Sequence, residues 1–156
     1  MQTARLIGSL LVSASWLLLA GCQTTEPTEE ANPTASLVVR EQSVTSLGQA
    51  ALEVFAAEGY TPVQNSSQEY VFEKPAGAMS SLAYGGLLDS TVWLRVIIRI
   101  RPLEDTAHQL TADAYRIRDR GGALEDQDHL GWSHARPYRS LLQAVVRKSA
   151  ELESSL

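Results

Sequence analysis

The sequence predicts an α+β domain in which an antiparallel four-stranded sheet carries two helices on one face, in the order α-β-β-β-β-α. Three observations predict it. Apolar residues recur at three- and four-residue steps in two stretches, 44–58 and 138–153, as on an amphipathic helix. Between them, residues 91–101 place an apolar residue at every second position, and 109–118 run back with their apolar residues in the same phase. Strands grouped between two helices, rather than interleaved with them, close naturally as an antiparallel sheet covered on one side.

In chain order, Leu37-Val38-Val39 is an extended lead-in, and Val44, Leu47, Ala51, Val54 and Phe55 form the stripe of the first helix. Ser43 suits its N-cap, and Gly59 suits the left-handed position just past its end. Residues 60–64 and 69–74 read as two short strands around the turn-forming Asn65-Ser66-Ser67-Gln68. Pro62 lacks a donor for a strand ladder, which places the first of them at an edge.

Residues 75–90 form a connection longer than ordinary loops, with Met79, Leu82, Tyr84, Leu87 and Leu88 set among Gly, Ala and Ser. Two readings stand: an exposed apolar loop for a hydrophobic partner or lipid surface, or a short helix over 76–84 packed under the sheet.

In the third strand Val92, Leu94, Val96, Ile98 and Ile100 share one face, and Trp93, Arg95, Ile97, Arg99 and Arg101 share the other, which predicts one core face and one mostly wet face. A hairpin symmetric about Asp105 sets Ile98 opposite Ala112 and Ile97 opposite Asp113. Arg95 and Arg99 then sit at the diagonals of Asp113 as a ladder of ion pairs. Gly121-Gly122 ends the fourth strand, and an acidic, irregular stretch runs to Trp132. Pro137 suits a first helical turn, and Tyr138, Leu141, Leu142, Val145, Ser149 and Leu152 make the second stripe.

The stretch before this domain sets the address. Residues 1–5 carry one positive side chain, 6–19 supply an apolar run too short and too serine-bearing for a spanning helix, and Leu19-Ala20-Gly21-Cys22 closes it. This resembles the lipobox of bacterial lipoproteins. The resemblance implies cleavage before Cys22, acylation of its thiol and amine, and a membrane anchor that does not reverse on a useful timescale. Gln23 after the cysteine resembles an outer-membrane sorting signal, so the expected location is the periplasmic face of the outer membrane. Residues 1–21 are then signal peptide, 22–36 an acylated cysteine and flexible tether without a large apolar residue, and 37–156 one domain. The fourteen tether residues after the cysteine reach at most about 50 Å. The order of elements is similar to the compact domains of small envelope lipoproteins, such as the lipopolysaccharide-assembly lipoprotein and the lipoprotein subunits of the outer-membrane barrel-assembly machinery. That likeness is one of architecture, over 37–153.

Removing residues 1–21 leaves 135 residues and moves the formal charge from −5 to −6. Cys22 is the only cysteine, so acylation leaves no thiol for a disulfide, catalysis or metal binding. Six arginines, at 95, 99, 101, 116, 118 and 120, give residues 91–122 a charge of +2 against −8 for the rest of the mature chain. The asymmetry suits an anionic envelope partner; a sheet face solvated by its own ion pairs is the alternative. Nucleic acid is excluded by compartment.

Glu125, Asp126, Asp128, His129 and His134 cluster in sequence but match no known cation-loop or zinc spacing, and a wet acidic turn reads as well. No nucleophile elbow, P-loop or dinucleotide fingerprint occurs. The expected function is therefore a non-catalytic envelope accessory protein without cofactor or metal, contacting an envelope protein or an anionic glycolipid. Met79, Leu82, Tyr84, Leu87, Leu88, Arg95, Arg99 and Arg101 are the candidate contacts. The alternative is a hydrolytic or metal-dependent enzyme acting on an envelope polymer through residues 125–134.

Overall fold

The computed structural model describes residues 32–77, 92–104 and 106–155. It is an α+β fold: one antiparallel sheet with two helices on one face. The elements are β1 (Ala35–Arg40), α1 (Val44–Ala57), β2 (Thr61–Asn65), β3 (Glu69–Pro75), β4 (Trp93–Glu104), β5 (Ala107–Arg118), β6 (Asp126–His129), a 3-10 turn (Trp132–His134) and α2 (Ala135–Ser154). The strands lie in the order β1-β5-β4-β3-β2, and β6 joins by pairing with β5. Leu19, Ala20, Gly21 and Cys22, which resemble a lipobox, lie outside the described residues, as do Met79, Leu82, Tyr84, Leu87 and Leu88 of the insert.

The sheet has six strands where the sequence predicts four. Both additions pair along the same edge of β5, with β1 opposite 107–112 and β6 opposite 115–118. β6 is Asp-Gln-Asp-His, without apolar alternation to announce it. It is held instead by cross-strand charge: Arg116 faces Asp128, Arg118 faces Asp126, and both pairs are bonded. The ordered chain also begins earlier than residue 37. Thr34 is 2% exposed and Ala35 and Ser36 belong to β1, so these three leave the expected tether. The Thr34 hydroxyl accepts from the Ala114 amide at 3.0 Å and donates to the Leu130 carbonyl at 2.5 Å, bridging the start of β1, the middle of β5 and the end of β6. Burial of a small polar residue through such bonds leaves no mark in hydropathy.

The central hairpin has the expected register: Ile98 pairs with Ala112 and Ile97 with Asp113. Val96, Ile98, Ile100, Leu110, Ala112 and Ala114 are buried on the helix side against Leu47, Phe55, Leu142 and Val145. Phe55 stacks on Phe72 with ring centroids 4.5 Å apart. Helix α1 begins where Ser43 accepts from the Ser46 amide and ends in a Schellman motif. Tyr60 N–H bonds Phe55 O and Gly59 N–H bonds Ala56 O, each at 3.0 Å, with Gly59 at φ +80° and the Phe55 and Tyr60 rings edge to face. β2 is an edge strand, with a ladder irregularity between Pro62 and Gln64.

Candidate functional site

The side of the sheet away from the helices is not the wet surface that alternation suggests. Val71, Thr111, Asp113 and Ile117 are buried there, and Glu73 is 3% exposed. Glu69 and Glu73 on β3 stand directly opposite Arg99 and Arg95 on β4. Arg95 donates from Nε to Glu73 Oε1 at 2.6 Å and from Nη1 to Glu125 Oε1 at 3.0 Å. Arg99 donates from Nε to Glu69 Oε2 at 2.8 Å and from Nη1 to Asp113 Oδ2 at 2.5 Å. Arg120 reaches the second oxygen of Glu73 at 2.6 Å, and its guanidinium lies 4.2 Å over the Trp93 ring.

One expected pair is therefore present, Arg99 with Asp113, while Arg95 turns to β3 and to Glu125 instead. Arg101 is exposed near the end of β4. Sequence reasoning grouped Arg120 with the hairpin arginines but missed Glu69 and Glu73 as the acids of this layer. A signal existed: Glu69 and Glu73 are four apart, as are Arg95 and Arg99, the spacing that lets two strands match charges on one face. The β3–β4 register needed to use it lies across the insert. The Glu125 carboxyl titrates below its ordinary range, first because the Gly121 amide donates to it and then because Arg95 bonds it.

Residues 125–134 do not converge. Asp126 bonds Arg118, and Asp128 bonds Arg116, which leads the causes that lower the Asp128 pKa. His129 lies against the Tyr115 ring, with Nε2 3.3 Å from Thr34 Oγ1 and 3.7 Å from Asp113 Oδ1. His134 Nδ1 is 3.1 Å from the neighbouring Ser133 hydroxyl. Among the described residues no group of three or more His, Cys, Asp or Glu is arranged to hold a metal ion. Two of the carboxylates serve the β5–β6 pairing, the structural task that their alternate positions on one strand face suit.

Two grooves flank α2. One, of about 600 Å³, lies between residues 32–36 and the start of the helix, with Trp132, Arg136, Arg139 and Gln143 on its far wall. The other, of about 550 Å³, is lined by Tyr60, Lys74, Leu94, Tyr138 and Arg147. Burial first, and then neighbouring Tyr138, push the Tyr60 hydroxyl well above its ordinary range. Neither groove is lined by any of Glu125, Asp126, Asp128, His129 or His134. Trp132 is 85% exposed. Arg136, Arg139 and Arg147 are exposed and bond no carboxylate among the described residues, unlike Arg95, Arg99, Arg116, Arg118 and Arg120. No helix of the described residues is long and apolar enough to cross a membrane. No protein-family model matches the chain, and no curated protein matches it.

Proposed function

We propose that the chain is a bacterial lipoprotein, anchored by acyl groups on Cys22 at the periplasmic face of the outer membrane, and that its domain is a non-catalytic accessory that binds an envelope protein or an anionic glycolipid. The observation that carries the reading is Leu19-Ala20-Gly21-Cys22 at the end of the apolar run 6–19, where a small-residue cleavage site and a thiol coincide. Support for a binding rather than catalytic role comes from the acids and histidines of 125–134, which are spent on arginine pairs and strand neighbours instead of facing a shared concavity. Arg95 and Arg99 each hold two carboxylates, so in this reading they shape the sheet face. The apolar insert residues Met79, Leu82, Tyr84, Leu87 and Leu88 then supply the partner contact.

Mass measurement of the protein from fractionated cells tests the anchor. The expected product begins at Cys22 and carries the added mass of a diacylglycerol and a further acyl chain, and Cys22→Ser abolishes both cleavage and added mass. Wild-type protein recovered soluble with Met1 attached overturns the reading. For the contact, Leu87→Ser with Leu88→Ser should leave the melting temperature unchanged and weaken crosslinks in intact cells; a large loss of stability instead places the pair in the core.

A further inference from the structure

The strongest unassigned feature outside the sheet is the outward face of α2 together with the 3-10 turn that leads into it. Residues 132–147 contain Arg136, Arg139 and Arg147 and no acid, in a chain whose mature part carries −6. Arg136, Arg139, Gln143 and Arg147 follow at steps of three, four and four, so they share one helix face. Tyr138, Leu142, Val145 and Ser149 are buried on the opposite face. The three arginines bond no carboxylate among the described residues, and Trp132 stands almost fully exposed at the head of the row. An exposed indole beside unpaired guanidiniums has the chemistry of a membrane interface, where tryptophan sits at headgroup level and arginine pairs with phosphate.

The chain's own geometry says which surface this face meets. The groove that Trp132, Arg136 and Arg139 line has residues 32–36 as the other wall, and Asn32 is ten residues from Cys22. Ten residues span at most about 35 Å extended and about 17 Å root-mean-square as coil. An anchor on Cys22 therefore holds this corner of the domain nearer the bilayer than the β2 edge on the other side of the sheet. We infer that Trp132, Arg136, Arg139 and Arg147 dock the domain on the anionic phospholipid headgroups of the membrane that carries its anchor. The inference rests on the lipoprotein reading above. It adds an orientation: the basic face turns to the bilayer, while the acidic remainder of the domain is repelled from it.

The test uses the acylated full-length product in a Trp93→Phe background, which leaves Trp132 as the only tryptophan once residues 1–21 are removed. Its mass is measured first, so absence of the acyl groups fails the lipoprotein reading by itself, whatever follows. The protein is then reconstituted into vesicles of brominated phosphatidylcholine, with and without phosphatidylglycerol. Docking predicts that Trp132 fluorescence is quenched at least about twofold in the phosphatidylglycerol vesicles only. The quenching should vanish at about 0.5 M salt and in Arg136→Glu with Arg139→Glu. Emission equal in the two vesicle types, or quenching that survives the double reversal, overturns the docking while leaving the anchor standing. If the reversal leaves vesicle quenching unchanged but removes a protein crosslink at position 132 in cells, the face belongs to an acidic protein and the inference is wrong.

Discussion

The α-carbon of Gly48, in the second turn of α1, lies so close to the Tyr70 ring of β3 that a β-carbon would fall 1.9 Å from the phenol oxygen and 2.6 Å from the carbon bearing it. A glycine inside a helix ordinarily costs about 1 kcal/mol relative to alanine, so this position gives up intrinsic helix stability to let helix and sheet approach. Gly48→Ala should reverse that trade. Overpacking should outweigh the propensity gain, for a net loss of about 1–3 kcal/mol in urea denaturation. Combining it with Tyr70→Leu should recover part of the loss. A stabilised Gly48→Ala would mean that the ring moves aside freely.

Glu73 joins Arg95 and Arg120 from positions 3% exposed, 19% exposed and 39% exposed respectively. Removing a buried charge partner is costly because the opposite charge is left desolvated. Here Arg95 keeps Glu125, and Arg120 retains access to water. Glu73→Ala should therefore cost about 2–3 kcal/mol, below the full buried-pair range. Arg120→Ala should cost less, since that guanidinium is screened by solvent. Chemical denaturation of the two variants ranks them, and equal losses would contradict a layer centred on Glu73.

Thr34→Val keeps the shape of the side chain but removes both hydrogen bonds that join β1, β5 and the end of β6. It leaves the buried Ala114 amide without its acceptor, at an expected cost of about 1–3 kcal/mol. Opening should be local. Amide exchange at Ala114 and Leu130 should accelerate more than at Ile98, which pairs within the central hairpin. Uniform acceleration would show that Thr34 supports the whole sheet.

Glu153 closes the far end of the helix pair. Its carboxylate accepts from the Ser43 amide at 2.7 Å and from the Ser46 hydroxyl, and Ser46 in turn accepts from the fully buried Ser149 at 3.0 Å. The Ser43 amide first, and the Ser46 hydroxyl second, hold the Glu153 pKa below its ordinary 4.5. A depressed carboxylate stabilises the fold fully above its unfolded pKa, and the contribution disappears as pH falls through the lower folded value. Melting temperature should therefore drop more steeply on acidification below pH about 4.5 in wild type than in Glu153→Gln. Parallel acid limbs would remove Glu153 from the account.

Much of the architecture follows from local pattern. The 3.6-residue stripes specify α1 and α2 because a helix forms where one face can be buried, and an apolar residue at every second position over 92–100 specifies β4 and its core face. Symmetry about Asp105 predicts the hairpin register that pairs Ile98 with Ala112, since strand pairing is locked once the turn position is known. The proposed anchor at Cys22 is likewise a reading of immediate neighbours, because a lipobox is a local pattern. What only the tertiary structure decided was which polar groups meet. β6 is a strand because Asp126 and Asp128 find Arg118 and Arg116 on a free edge, and Thr34 is core because the Ala114 amide and the Leu130 carbonyl converge on its hydroxyl. Arg95 and Arg99 look like a binding stripe until β3 sets Glu73 and Glu69 opposite them, whereas Arg136, Arg139 and Arg147 look like any helix surface until the folded chain leaves them without a bonded carboxylate among the described residues. Apolar periodicity is a property of one segment, but charge pairing is a property of distance between segments, and that distance exists only in the folded chain.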